Sequence, residues 1–365
     1  MNENLIVLMI VYNQIQYDAR VIRAAETIAN LGVKVKVISC NSDFQYKNEK
    51  FESVVFVSRA KHQGRLVHFW WQCLRYILKH RKNILLLYVH DYYMPLIGGL
   101  YYIFTKRKWV YDAHELIFYH KNDKVSCRNK FFLYLEKMFV KSASLVVTAN
   151  EERRKLMSYV YKLKKTIYIL NVASVKRDNI DQSSKRNVIV YQGYLSSERG
   201  VDFFINNHLQ VDEKYTLKLI GGGPQLERYK ARVNKLKLEN RVVFTGLLNQ
   251  KRLYEESQDS KIGIITYPLN DLNNYYCSPN KIFEYAKMKI PMIVTKQPFL
   301  MALIRKYHMG EVLDMEKGES EYKKIIDKID SNYLYYIERM DDFLNDYSAD
   351  RELEKLKVAI LDILE

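Results

Sequence analysis

The chain has 365 residues, 48% hydrophobic and 27% charged, which suits about two domains with ordinary cores and argues against a disordered or fibrous protein. Its net charge of +16 asks for an acidic partner: a phosphorylated substrate, anionic lipid or nucleic acid. The four cysteines, Cys40, Cys73, Cys127 and Cys277, show no CxxC spacing, which speaks against a zinc site or disulfide framework and for a reducing cytosol.

Met1 to Glu3 lack a basic region before the first apolar run, so no signal peptide is expected. The longest apolar stretches, Ile84–Val89 and Met94–Phe104, fall short of the roughly 20 residues a spanning helix needs. Leu5–Val11 is a continuous apolar run of strand length, which predicts a strand buried on both faces. A helix follows, with Val21, Ile22, Ala25, Ile28 and Ala29 at helical spacing and Gly32 as its stop. Further strands are predicted at Val33–Ser39, Val54–Val57, Ile84–Val89, Trp109–Tyr111, Leu145–Thr148 and Ile167–Ile169. Leu66, Phe69, Trp70, Cys73, Leu74, Ile77 and Leu78 form a helical stripe. Lys61 to Lys82 holds six Lys or Arg and no acid, which suits a core-packed helix with a solvated basic face or one lying on an anionic bilayer.

Residues 173–186 lose apolar periodicity and read as a linker between domains 1–172 and 187–348. The pattern then restarts, with strands predicted at Val188–Tyr191, Tyr215–Ile220, Val242–Phe244, Ile262–Thr266, Met292–Val294 and Glu311–Leu313. Helical stretches between the strands argue for parallel, doubly wound sheets in both halves. The last helix, Arg351–Leu364 within residues 349–365, is expected to brace the first domain.

Four segments carry candidate chemistry. Ser278 suits an N-cap and Pro279 the first helical position, so a helix starting there would aim free N–H groups at an anion. Lys281 adds a mobile charge, and Glu284 can accept from two hydroxyls, a pairing that fits a diphosphate and a ribose. A capped surface helix with one Lys–Glu pair has the same residues. Gly221-Gly222-Gly223-Pro224 follows a strand and opens a helix, where missing Cβ atoms let a ligand approach or simply allow a tight turn. It is not a G-x-G-x-x-G fingerprint, so a nicotinamide dinucleotide is not supported. Arg199, at a strand–helix junction, has the forked shape that grips a diphosphate, or is a solvated surface residue. His114, between Asp112 and Glu115 past a strand's end, suits proton handling or a structural hydrogen bond. No D-x-D pair occurs, and His90 lies too far away in sequence to be paired with His114 as a metal ligand.

The order of these motifs resembles the nucleotide-sugar glycosyltransferases of the GT-B fold, particularly glycosyltransferase family 4 and its bacterial capsule and O-antigen relatives. The matching pieces are Asp18-Ala19-Arg20-Val21, Tyr111-Asp112-Ala113-His114-Glu115, Tyr191-Gln192-Gly193, Glu198-Arg199-Gly200, Leu219 to Pro224, Val243-Phe244-Thr245-Gly246 and Ser278 to Tyr285. The resemblance implies an α/β chain of two Rossmann-like domains facing each other across a cleft, the second holding the donor. It implies that Glu284 binds the ribose and that Arg199 and Lys281 hold the diphosphate, with His114 reaching the reaction centre. Gly193, Gly221, Gly222, Gly223, Pro224, Gly246, Tyr276, Cys277, Ser278, Pro279 and Asn280 would contact the donor, and the segment after Gly246 would cover the base. Asn13, Asp18, Arg20, Asp112 and Glu115 would lie on the acceptor side.

The resemblance further implies retaining, metal-independent transfer, with no cofactor, from a UDP-sugar to a glycan or polyprenyl-diphosphate-linked acceptor. It places this at the inner face of a bacterial membrane, in surface polysaccharide synthesis. Tyr276 stands where a second glutamate is common, Tyr194 where an arginine is common, and Tyr12-Asn13-Gln14-Ile15 replaces the usual glycine-rich loop. These departures keep a non-catalytic sugar-nucleotide-binding protein as the alternative; nucleic-acid binding rests on charge alone.

Overall fold

The computed structural model describes residues 5–40, 46–57, 64–119, 125–172 and 185–365. The first half runs β1 (Ile6–Val11), α1 (Ala19–Ala29), β2 (Lys34–Cys40), β3 (Glu52–Phe56), α2 (Arg65–His80), β4 (Ile84–His90), α3 (Pro95–Thr105), β5 (Trp109–Ala113), α4 (Cys127–Phe139), β6 (Leu145–Thr148), α5 (Glu151–Tyr161) and β7 (Thr166–Tyr168). The second runs β8 (Arg186–Gln192), α6 (Val201–Asn207), β9 (Thr216–Ile220), α7 (Leu226–Lys235), β10 (Val242–Gly246), α8 (Gln250–Ser257), β11 (Ser260–Ile265), α9 (Leu272–Tyr275), α10 (Lys281–Lys287), β12 (Met292–Val294), α11 (Pro298–Tyr307) and β13 (Gly310–Val312). Four helices close the chain: α12 (Glu319–Ser331), α13 (Tyr333–Glu338), α14 (Met340–Asp346) and α15 (Ala349–Leu364).

The chain divides into two compact units, Met1–Asn171 with Ala349–Glu365, and Val172–Ser348. The first holds a parallel sheet in the order β3-β2-β1-β4-β5-β6-β7, the second one in the order β10-β9-β8-β11-β12-β13. Central strands such as β1 and β11 are buried along nearly their whole length because helices cover both faces, so their sequences read as unbroken apolar runs. Each sheet reverses its direction of winding once, between β1 and β4 and between β8 and β11, the positions where open α/β sheets hold ligands at the carboxyl ends of their strands.

α15 completes the first unit. Its Leu356, Ala359, Ile360 and Ile363 join Val21, Ala25 and Ile28 of α1 in one apolar cluster, and Glu352 accepts from the backbone N–H of Leu170 at 2.8 Å. Of the expected linker over 173–186, residues 173–184 lie outside the described residues, and Arg186 already pairs in β8. The helix expected to start at Pro279 starts at Lys281 instead, with Asn280 as its N-cap. Ser278 does not cap it; the hydroxyl is buried with no hydrogen-bond partner among the described residues.

Candidate functional site

In the second unit three strand ends converge. Gly193 follows β8, Gly221 follows β9, and Tyr267 lies two residues past β11. The turns interlock through the backbone: Gly193 N–H donates to Ile220 at 2.9 Å, Gly221 N–H to Gly246 at 2.9 Å, and Leu195 N–H to Gly222 at 3.0 Å. A Cβ on Gly221 (φ +142°) would sit 1.9 Å from the Gly193 carbonyl oxygen, and one on Gly223 would sit 2.4 Å from that of Leu195. Those two glycines are required by backbone packed on backbone.

A cavity of about 610 Å³ opens over these turns. Of the residues singled out in the sequence, Gly193, Gly221, Gly222, Ser278, Pro279, Asn280, Lys281 and Glu284 line it. Gly223, Pro224, Gly246, Tyr276 and Cys277 are not among its lining, although Leu247 and Leu248, next after Gly246, are. Gln192, from the Tyr191-Gln192-Gly193 piece, lines it as well, as do Leu253 and Tyr267, which carry no sequence signal of their own.

Glu284 comes from the first turn of α10 and accepts from Gln192 Nε2; the Gln192 amide oxygen in turn accepts from Ser257 Oγ at 3.2 Å. Burial raises the Glu284 pKa, opposed by Lys281 and the Gln192 hydrogen bond. Tyr267 is held by its own backbone, donating to Thr295 Oγ1 at 3.1 Å and accepting from Gln297 Nε2 at 2.7 Å. Its ring seats two cations. The Arg199 guanidinium lies 4.1 Å from the ring centroid and Lys281 Nζ 5.2 Å, the latter also donating to the phenol oxygen at 3.2 Å. Arg199 is not among the lining residues of the cavity; it shares with Lys281 the ring of Tyr267, which does line it. Two cations and a buried carboxylate one turn apart can receive a diphosphate and a vicinal diol.

In the first unit the structure gathers Asn13, Asp18, Arg20, Asp112 and His114 into one network. Arg20 grips Asp112 with contacts of 2.7–3.2 Å, and Tyr88 donates to the same carboxylate at 3.1 Å. Asp18 caps α1 by accepting from Val21 N–H, and receives Asn13 Nδ2 at 3.4 Å. His114 Nδ1 lies 3.9 Å from Asp18, and Arg153 donates to the His114 carbonyl at 2.7 Å. Glu115 is exposed.

His90, set aside in the sequence for its distance, belongs here: parallel pairing of β4 with β5 registers it opposite Asp112, and its Nδ1 lies 3.2 Å from His114 Nε2. One of those two nitrogens carries the shared proton. Burial holds His90 well below the ordinary imidazole range, so it is neutral. Burial alone would raise Asp112, but Arg20, with His114 and His90, brings its pKa down to about 2.

His90, Asp112 and His114 offer ligand atoms within 4.8 Å of one another, a spacing a metal ion could use. The Asp112 charge already belongs to Arg20, and a second cation beside the guanidinium would be repelled. This set is a better hydrogen-bonding cluster than a metal cage.

Two family models match: Glycosyltransferase Family 4 over residues 19–172 and Glycosyl transferases group 1 over residues 186–329. An uncharacterized glycosyltransferase of Methanocaldococcus jannaschii is 26% identical over 185 residues, which are 46% of this chain and 43% of that protein. One of Haemophilus influenzae is 22% identical over 232 residues, 60% of this chain and 61% of its own. The match thus spans less than two thirds of either relative. Among solved structures, Anabaena HepE in complex with UDP and glucose superposes with a TM-score of 0.75 at 15% identity, covering 98% of this chain and 100% of that one. WaaG, a glycosyltransferase involved in lipopolysaccharide biosynthesis, gives 0.71 at 16% identity over 96% and 98%. At such identities the likeness is one of fold, and the matched domains carry the assignment: the chain belongs to the GT-B glycosyltransferases, with a family 4 domain followed by a group 1 domain.

Proposed function

We propose that this protein transfers a sugar from a UDP-sugar to a glycan or polyprenyl-diphosphate-linked acceptor during surface polysaccharide synthesis, in the cytoplasm at the inner face of the membrane. The observation that carries the reading is that Lys281 and Tyr267 line the same cavity as the buried Glu284, with Arg199 seated on the Tyr267 ring beside it. In this reading the Glu284 carboxylate accepts from the two ribose hydroxyls, replacing the Gln192 amide or sharing with it. Arg199 and Lys281 take the diphosphate, and Leu247 and Leu248 cover the base. UDP binding by the structural neighbour HepE favours uridine.

The hard step is departure of UDP from the anomeric carbon, as negative charge grows on its phosphate oxygens. Arg199 and Lys281 are positioned for that charge before it develops, which is the condition under which an electrostatic group lowers a barrier. On this account transfer is metal-independent, because the two cations do the work a divalent ion does elsewhere. His114 serves the sugar side, its tautomer set by His90 and its backbone by Arg153. Transfer proceeds with retention, as the family resemblance implies.

The test is release of UDP from a panel of UDP- and GDP-sugars, with and without chelator. Turnover of a UDP-sugar that persists in EDTA supports the reading. Donor binding without any turnover, with acceptor lipid supplied, would favour the non-catalytic alternative.

A further inference from the structure

Three helices of the first unit carry a surface that neither core nor site uses. α2 leads from β3 to β4, α3 from β4 to β5 and α4 from β5 to β6, all crossing the sheet in one direction, so right-handed connections put them on one face. They form a continuous layer. Trp70 of α2 meets Phe132 of α4 edge to face at 6.3 Å, and Gly99 of α3 lies so close to Phe139 of α4 that a Cβ would sit 2.0 Å from its ring. Arg107 donates to the carbonyls of Arg81, Lys82 and Ile84, tying the end of α3 to that of α2.

The inward sides of these helices are buried, as the sequence stripe Phe69, Trp70, Cys73 and Ile77 predicts. The outward sides are apolar too. Trp71 is 55% exposed, Ile103 50%, Phe104 65%, Phe131 49% and Tyr134 60%. The three helices contain a single acid, Glu136, which is buried against Tyr111 and Tyr161. Exposed cations surround the apolar residues: Arg75, Lys79, Lys106, Lys130, Lys137 and Lys141. Arg75 lies over the Trp71 ring at 5.4 Å and Lys106 over Tyr102 at 5.4 Å, so apolar bodies and charged heads share one layer.

We infer that this face docks on an anionic lipid bilayer, its exposed apolar side chains in the headgroup–acyl boundary and its cations on lipid phosphates. Among the described residues no helix is long and apolar enough to cross a membrane, so the contact lies along the surface. A second copy of the chain is a poor occupant, because two faces of one charge sign repel. Nucleic acid would use aromatic stacking but has no use for Ile103 or the exposed Leu78. The inference stands on this surface and not on the donor cavity, so either can fail alone.

Trp71 supplies the readout, because Trp70 and Trp109 are buried. The full chain is sedimented with phosphatidylcholine vesicles and with mixed phosphatidylcholine–phosphatidylglycerol vesicles, at low and high salt. It should pellet with the mixed vesicles only, be released in high salt except for a remainder held by the apolar side chains, and show a fluorescence blue shift that Trp71→Phe abolishes. Lys130→Gln and Lys137→Gln should each weaken partitioning about fivefold, and Ile103→Ser with Phe104→Ser should abolish the salt-resistant remainder. Circular dichroism and thermal midpoints check that each variant is folded. No pelleting with mixed vesicles at low salt would overturn the inference. So would equal binding by the folded variants, or a Phe104-dependent dimer or RNA complex in place of vesicle binding.

Discussion

The two charged clusters of this protein are built on opposite plans. In the first unit Arg20 and Asp112 face each other across a buried, multiply bonded ion pair, with Tyr88, His90 and His114 filling the remaining positions. In the second, Arg199 and Lys281 rest on the face and hydroxyl of Tyr267, and neither has a salt bridge among the described residues. A π-face holds a cation in place without neutralising it. The charges of the first cluster are therefore matched within it, while those of the second stay available to an anionic group. On the proposed reading, that difference, more than the residue types, separates the cluster that orders the fold around His114 from the cluster that takes the donor.

Breaking each cluster should give opposite signatures. Asp112→Asn leaves the Arg20 guanidinium buried and without its counter-charge; removing one partner of a buried pair costs about 3–5 kcal/mol. Urea unfolding should show that loss, with little effect on UDP affinity. Arg199→Ala or Lys281→Ala should do the reverse, lowering kcat about 10²- to 10³-fold, the cost of one preorganised donor, while the melting midpoint stays within a degree or two of wild type. A large drop in stability with turnover preserved would invert the assignment.

A titration sharpens the same contrast inside the first unit. Glu136 is buried against the hydroxyls of Tyr111 and Tyr161, and burial pushes its carboxyl up to about 7 despite those two donors. A folded pKa above the unfolded value of about 4.5 stabilises the protein below that pH and loses the contribution as pH rises through about 7. Stability should therefore decline by on the order of 3 kcal/mol between about pH 4.5 and pH 8, and Glu136→Gln should flatten that slope. A slope unchanged in the variant would place its origin elsewhere.

The strands were legible in the sequence to within a residue or two, because strands buried on both faces leave unbroken apolar runs bounded by turn residues. The segments that line the cavity were legible too, since Gly193, Gly221 and Ser278–Glu284 sit at element junctions that short-range chemistry marks. What stayed hidden depends on the sheet. His90 is 24 residues from His114, and only the β4–β5 register makes them neighbours. Tyr267 lies past the end of β11, where no periodicity applies, and its contacts appear only when the turn before α6 and the start of α10 bring cations to its ring. The Ser278–Pro279 start signal was read too literally. Local propensity favours a cap there, but the chain turns once more before α10 begins, and the Ser278 side chain lines the cavity. Nor does periodicity tell that α2 is apolar on its solvent side as well as its core side.

The central claim is that Glu284 binds the ribose of a uridine nucleotide held by Arg199 and Lys281. Isothermal titration of UDP into wild type and Glu284→Ala tests it with no acceptor needed. Hydrogen bonds to a charged group contribute about 1.5–3 kcal/mol, so the variant should bind UDP about 10- to 100-fold more weakly. Equal affinity in a folded Glu284→Ala protein would contradict the account.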